Sequence, residues 1–511
     1  MQSDVLQWLD KTALNMPDKL ALYDSQTQVT YGNFRKKSIT LANKIIEIEN
    51  MLGNKEKQPI VVFMEKSVKV VISFLGIAYS GNFYSFIDTE MPEYRVDRIL
   101  EVLCPQIVIT SKKLKRNFEK FNFSGEYIFY DEEIYDPIFE KVVKEKTEKI
   151  IDTDLLYIYF TSGSTGIPKG VAGTHRNIIN YVEWFTETFN IVSEDRFGNQ
   201  FPLFYAASAL DIYSCIKTGA TLYFIDKGLF TQPVKLLEFI KEYKISTIQW
   251  VPSALTIISK LKAFRNVDVS SSLKRVVFIG EIMSNRQLNI WRKYLPSVMY
   301  IHMYGSTETW ISLYYIVERE FEDDAPLPLG KPIRNVEILV LDEDNSPVQK
   351  GKSGELCIRG AGLMSGYYNN QEKTKEVLVQ NPLNKMTSDI IYRTGDFVKY
   401  NELGEVIYLS RKDSQIKYAG HRIELGEIET AVYSIDEVSL CCCLYDDIKQ
   451  CIVLFIDAPL DKKYVCNCIE KRLPVHMIPG KVIVLEEMPV NANGKIDRVK
   501  LKEILLSNEE K

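Results

Sequence analysis

The sequence predicts a mixed α/β and α+β protein: a large N-terminal domain of layered α/β subdomains with a β-rich subdomain, followed by a small C-terminal α+β lid. Three observations predict it. Between about residues 28 and 330, short β-rich runs alternate with amphipathic helical stretches, the pattern of α/β layers with much parallel sheet. From 331 to 410 the character changes to strands separated by acidic and glycine turns, the mark of a β-rich subdomain. After Asp413 comes a tail of roughly a hundred residues, compact enough to fold as a unit. A chain of 511 residues also exceeds what one core ordinarily covers, so the expected domains are 1–411 and 412–511.

The elements follow in order. MQSDVLQWLDKTALNMPDK alternates charge with apolar residues at helical spacing and lacks the basic start and unbroken apolar core of a signal peptide. PIVVFMEKSVKVVISFLGIAYSGNFYSFID is interrupted by Glu65, Lys66 and Lys69, so it reads as strand, turn and buried helix, not as a membrane span. PIVVFM, QIVIT, LLYIYFTS, TLYFID, TIQWV and RVVFIG are strand candidates, with LLEFIKEYK and NRQLNIWRKYL among the helices between them. VEILVLDEDNSPV, GELCIRG and EVIYLSRK supply the β-rich part. In the tail, ELGEIETAVYSI is a helix, CCCLYDD to QCIVLFID a hairpin, and VNANGKIDR a closing loop.

Composition narrows the function classes. Hydrophobic content of 46% and charged content of 26% belong to a globular protein. A net charge of −5 with dispersed Lys and Arg argues against a dedicated nucleic-acid binder. The nine cysteines form an odd number without C-x-x-C or Cys/His metal spacing. Cys441, Cys442 and Cys443 read as small apolar fillers of a buried strand, and a reducing cytoplasmic location is expected.

Residues 161–171, TSGSTGIPKGV, concentrate glycine, hydroxyls and one lysine in a short loop. Gly163, Gly166 and Gly170 permit positive φ and close backbone approach; Ser162, Ser164 and Thr165 add hydroxyls; Lys169 adds a mobile charge. These ingredients suit a phosphate cradle or, equally for a lone loop, a polar surface turn. The Walker pattern is absent.

Further motifs decide between them: MYGSTETW (303–310), GELCIRGAGLMSGYY (354–368), YRTGDF (392–397), RKDSQIKYAGHRIELGEIE (411–429) and NANGKIDR (491–498). In this order and spacing they resemble the adenylate-forming superfamily, and more narrowly the adenylation domains of nonribosomal peptide synthetases and the D-alanine–carrier-protein ligases. A still narrower resemblance is to the stand-alone adenylation proteins of pyrrolobenzodiazepine pathways such as tilimycin/tilivalline. The resemblance implies activation of a carboxylic acid by ATP with Mg²⁺, then transfer to a thiol. It implies that Thr161, Ser162, Gly163, Ser164, Thr165 and Lys169 grip the phosphates. Gly280, Glu281, His302, Met303, Tyr304, Gly305, Ser306, Thr307, Asp396 and Arg411 would complete the nucleotide site. Within that set Tyr304 lies against adenine and Asp396 accepts from the ribose hydroxyls. Glu308 is the implied Mg²⁺ ligand, Lys495 the catalytic cation between carboxylate and α-phosphate, and Asp413 the hinge of a mobile lid. Gly420 and the segment after it resemble the loop used in the second step. His302 departs from the usual Asn, and a ring nitrogen must then accept from the adenine amino group. No carrier signature follows NGKIDR, so the expected thiol partner is a phosphopantetheine-bearing carrier protein or synthetase module on a separate chain.

FPLFYAASALDIYSCIKTGATL (201–222) aligns with the superfamily's acid-binding segment through its closing TGATL. The resemblance implies a pocket of Tyr205, Ala206, Ala207, Leu210, Ser253, Val277, Ile279, Met303, Ile311 and Ser312. Amino-acid activators place an aspartate where this chain has Ala206, and burying an ammonium without its counter-charge costs several kcal/mol. The apolar wall with two hydroxyls therefore suits an aryl acid of the anthranilate type. D-alanine or other amino-acid ligation, α-keto acid activation and a non-catalytic nucleotide-binding module are the alternatives.

Overall fold

The computed structural model describes residues 2–53, 57–131, 140–163, 167–323, 325–412, 415–489 and 496–507. The backbone clusters into two units. One comprises Met1–Thr89, Val102–Tyr159 and Gly170–Ser410; the other Glu90–Glu101, Phe160–Lys169 and Arg411–Lys511.

Two large sheets and a smaller one build the first unit. The seven-stranded sheet runs, in spatial order, Gly366–Tyr367, Lys169–Thr174, Leu155–Thr161, Phe83–Ile87, Pro59–Phe63, Ile107–Thr110 and Glu126–Phe129. Pro59–Phe63, Phe83–Ile87 and Ile107–Thr110 are buried along their whole length, as expected of strands covered on both faces. The run read as strand, turn and buried helix is the central strand Pro59–Phe63, the turn at Glu65–Ser67 and the buried helix Val68–Tyr79.

The nine-stranded sheet has a parallel centre, Met299–Tyr304, Arg275–Ile279, Thr247–Trp250, Arg196–Asn199, Thr221–Phe224 and Leu20–Tyr23 in that order. Antiparallel strands close both edges: Leu313–Ile316 with Lys331–Pro332 on one side and Gln28–Thr30 on the other. Register puts Asn199, Gln249, Val277 and Ile301 side by side, with Ile279 beside Met303. Paired residues share a face and neighbours alternate. Asn199, Gln249, Val277, Ile279 and Met303 therefore lie on one face, and Phe278, His302 and Tyr304 on the other. The helix Ala207–Thr218 covers the first face, where Gln249 Nε2 donates to the Ala207 carbonyl at 3.1 Å.

A five-stranded sheet, centred on the antiparallel pair Ser353–Gly360 and Ile390–Tyr400, forms the β-rich part of this unit.

In the second unit, Cys441–Asp446, Cys451–Ile456 and Lys481–Val484 make a three-stranded sheet. Its two faces explain the cysteine triplet. Cys441 and Cys443 pack with Ile428, Val432, Val465 and Ile469, while Cys442 packs with Met488, Leu501 and Leu505 on the opposite side. All three side chains must be apolar and small because helices cover both faces. Burial pushes the Cys441 and Cys442 thiols up to about 12, and the Cys443 thiol well above its ordinary value, so they are inert fillers. Among the described residues, no helix is long and apolar enough to cross a membrane.

Candidate nucleotide and acid site

In the first unit, the strand Met299–Tyr304 ends in the turn Gly305–Trp310, which carries the GSTE sequence. Trp310 N–H donates to the Ser306 carbonyl at 2.7 Å, and Ser312 N–H closes the loop onto the Tyr304 carbonyl at 2.8 Å. A Cβ at Gly305 would sit 1.5 Å from the Trp310 carbonyl oxygen, so only glycine lets the chain fold back this tightly. The turn buries Glu308 completely and directs Oε1 onto the Tyr367 hydroxyl, which donates at 2.8 Å. Glu308 is therefore not a solvated surface acid. Its backbone carbonyl also accepts from Met364 N–H at 2.9 Å, tying the turn to the segment before Tyr367.

Tyr304 and Asp396, 92 residues apart, are brought into contact: the Tyr304 hydroxyl donates to Asp396 Oδ2, and both side chains are buried. Asp396 is set by its own strand, Ile390–Tyr400, where its N–H donates to Thr394 Oγ1 at 3.0 Å. His302 lies on the same sheet face as Tyr304, stacked on Phe278 with centroids 5.3 Å apart. His302 Nδ1 is 2.9 Å from the Pro328 carbonyl, which can only accept, so Nδ1 carries a proton; in the neutral ring Nε2 is then the acceptor. Met303, placed by the sequence among both nucleotide and acid contacts, presents its side chain to the opposite face from His302. It sits with the acid-site candidates Val277 and Ile279.

Of the acid-site candidates, Val277, Ile279 and Met303 share that face. Leu210, Val277, Ile279, Met303, Ile311 and Ser312 are all buried. Ser312 Oγ donates to the Thr309 carbonyl at 3.3 Å. Ala206 is 9% exposed and immediately precedes the helix Ala207–Thr218, whereas Tyr205 and Ala207 are half-buried. Ser253, in the first turn of the helix Pro252–Lys260, donates its N–H to Glu281 Oε2 at 2.8 Å, so Glu281 caps that helix beside Gly280.

The second unit holds the glycine-rich loop and its surroundings. Thr161 ends a strand and Lys169 starts the next. A Cβ at Gly163 would lie 2.0 Å from the Ile167 carbonyl oxygen, which demands glycine there. Ser162 Oγ donates to the Arg422 carbonyl at 2.8 Å and accepts from Glu424 N–H at 3.2 Å. Lys169 Nζ is 3.4 Å from Glu424 Oε1. Arg95 Nη1 pairs with Glu427 Oε1 at 2.8 Å; burial raises the Glu427 carboxyl above its ordinary range, and Arg95 opposes the shift. Arg411 ends the strand Val406–Arg411. Ser164, Thr165, Asp413 and Lys495 lie outside the described residues.

Tyr367, the partner of Glu308, is not singled out by the sequence although it lies in GELCIRGAGLMSGYY; Arg422 and Glu424, the partners of Ser162 and Lys169, fall in the segment after Gly420. Lys66 and Gln249 carry no local signal, because the carbonyls they hold lie 133 positions further and 42 positions earlier in the chain. Among the described residues no cluster of three or more His, Cys, Asp or Glu could hold a metal. A single buried carboxylate such as Glu308 still fits Mg²⁺, which takes one or two protein carboxylates together with phosphate and water oxygens.

These units have the adenylation-domain fold. The chain superposes on the adenylation domain AlmE of Vibrio cholerae in complex with glycyl-adenosine-5'-phosphate, with TM-score 0.81, 20% identity, 99% of this chain and 98% of that chain. It also superposes on NpsA-ThdA, an artificially fused adenylation–PCP di-domain from Klebsiella oxytoca, with TM-score 0.78, 20% identity, 99% of this chain and 97% of that chain. A model of the AMP-binding enzyme family matches residues 9–368, and the chain belongs to that family of adenylate-forming ligases. In sequence it is 30% identical to tyrocidine synthase 1 of Brevibacillus parabrevis over 97% of its own length and 44% of that relative. It thus spans less than half the length of the curated relatives it matches.

Proposed function

We propose that the protein activates a carboxylic acid with ATP, releases pyrophosphate, and passes the acyl group to the phosphopantetheine thiol of a separate carrier protein. The observation that carries the reading is the AMP-binding match over residues 9–368, which contains the buried Glu308, together with the Tyr304–Asp396 contact. In the first half-reaction a carboxylate oxygen attacks the α-phosphorus and the bond to pyrophosphate breaks. Two anions must meet, so fixed donors and cations are required. Lys169 and the Ser162–Thr165 loop would hold the β- and γ-phosphates, and Lys495 would neutralise charge at the α-phosphate. Glu308 would hold Mg²⁺, which supplies charge neutralisation to the phosphates. Asp396 would accept from the ribose hydroxyls, Tyr304 would face adenine, and His302 Nε2 would accept from its amino group. Residues 412–511, hinged at Asp413, would move between the half-reactions.

The acid we favour is of the anthranilate type. Ala206 leaves an ammonium without a counter-charge, and Val277, Ile279 and Met303 offer an apolar sheet face. NpsA-ThdA, with its adenylation and PCP domains, supports a carrier partner. A second reading, an α-amino acid, is favoured by AlmE, which bears a glycyl adenylate on this fold. Pyrophosphate exchange with anthranilate, hydroxybenzoates, glycine, alanine and α-keto acids tests both. Exchange strongest with anthranilate-type acids supports the first reading; exchange strongest with glycine or alanine overturns it, and exchange with none of the acids overturns the adenylation reading itself.

A further inference from the structure

The acid-binding segment starts at the end of the strand Arg196–Asn199 and runs into the helix Ala207–Thr218. Lys66, in the turn that follows the strand Pro59–Phe63 of the other large sheet, reaches the two residues just before that segment. Its Nζ is 3.3 Å from the Asn199 carbonyl and 3.1 Å from the Gln200 carbonyl, and lies 5.6 Å over the Phe224 ring. The Gln200 side chain is held in turn, its Oε1 accepting from Val251 N–H at 3.4 Å. At the far end of the segment, Gln249 holds the Ala207 carbonyl at 3.1 Å, and Asn199 Nδ2 donates to Asp211 Oδ2 at 2.8 Å. Asp211 is fully buried, and its Oδ1 has no hydrogen-bond partner among the described residues.

The segment is therefore pinned at both ends, and the residues between the pins include Tyr205 and Ala206. An ammonium shared by two successive carbonyls is a charge-assisted clamp, stronger than a neutral hydrogen bond. It forces the two carbonyls to point the same way, which an extended strand does not do; the chain must leave the sheet there. Burial pulls the Lys66 ammonium down to about 7, while the carboxylates of Asp211 and Asp88 act in the other direction.

We propose that Lys66 is a positioning residue for acid recognition: its ammonium orients the Asn199–Gln200 carbonyls and so sets the path of residues 201–207 that present the acid site. This rests on the reading that 201–207 bind the acid. Lys66→Met removes the charge and keeps an unbranched side chain of similar length. The expected result in pyrophosphate exchange is a KM for the acid raised about tenfold, with the KM for ATP changed less than about twofold. Lys66→Arg, which can bridge the same carbonyls, should recover most of the loss. Equal rises in both KM values, or no rise in either, overturn the proposal. Hydrogen exchange provides a readout independent of turnover: in Lys66→Met, peptides covering 199–207 should exchange at least about tenfold faster while the strand Arg275–Ile279 stays protected. Unchanged exchange at 199–207 overturns the proposal even if activity falls. Should the wild type activate no acid at all, the adenylation reading fails, and the exchange experiment still decides whether Lys66 holds the segment.

Discussion

Replacing Ala206 by Asp puts the acid assignment at risk in one step. The residue is 9% exposed and stands at the start of the helix Ala207–Thr218, its carbonyl accepting from Ala209 N–H at 3.0 Å. A carboxylate there would be desolvated against the neutral ring of an aryl acid, at a cost of about 2–4 kcal/mol. The helix N-terminus returns part of this, up to about 1 kcal/mol for a negative group in the first turn. The net penalty is about 1–4 kcal/mol, so kcat/KM for anthranilate in pyrophosphate exchange should fall by roughly 5- to 1,000-fold. The KM for ATP should hold, and thermal unfolding should remain cooperative. Gain of exchange with alanine is compatible with the argument but not required by it, since the rest of the pocket stays unchanged. Two results would refute the reasoning: a wild type that prefers alanine or glycine to benzoates, or an Asp variant that handles anthranilate unaltered.

Three further outcomes are expected. Lys495→Ala should lower adenylate formation about 10²- to 10³-fold while thiol transfer from preformed adenylate persists; equal loss of both half-reactions in a folded variant removes Lys495 from the chemistry. Lys169→Ala should raise the KM for ATP about tenfold and leave that for the acid near wild type; a selective rise for the acid instead would put the loop elsewhere. Asp211→Asn should flatten the pH dependence of stability: burial pushes the Asp211 carboxyl up to about 7 from its ordinary 3.8, so the folded state keeps a proton that the unfolded chain has lost. The stability this gives is present below about pH 4 and fades as pH rises through about 7. Wild type measured against the variant should therefore lose about 1–4 kcal/mol between pH 4.5 and 7.5 in urea unfolding. Lys66, lowered to about 7, acts mainly above that window, and a difference that grows with pH would contradict the assignment.

The local pattern by itself determined which segments are strands and helices and which of their faces are apolar. PIVVF and RVVFI read as strand candidates and are buried strands, since short continuous runs of branched side chains suit strands covered on both faces. The cysteine triplet was legible as filler for the same reason, with cover on both faces of its strand. Motif order and spacing carried the family reading, since GSTE, the glycine-rich loop and RTGDF are each contiguous. Only the tertiary structure decided which distant residues meet. Leu20–Tyr23 pairs with Thr221–Phe224 some two hundred residues later; Tyr304 reaches Asp396, Tyr367 reaches Glu308, and Lys66 reaches Asn199. It also decided that His302 and Met303 serve opposite faces of one strand, a split that follows from the pleat once the strand is placed. The physical reason is that side-chain periodicity selects a face but not a partner. Parallel pairing through crossovers is chosen by global packing, in which each added contact must offset the entropy of closing a long loop.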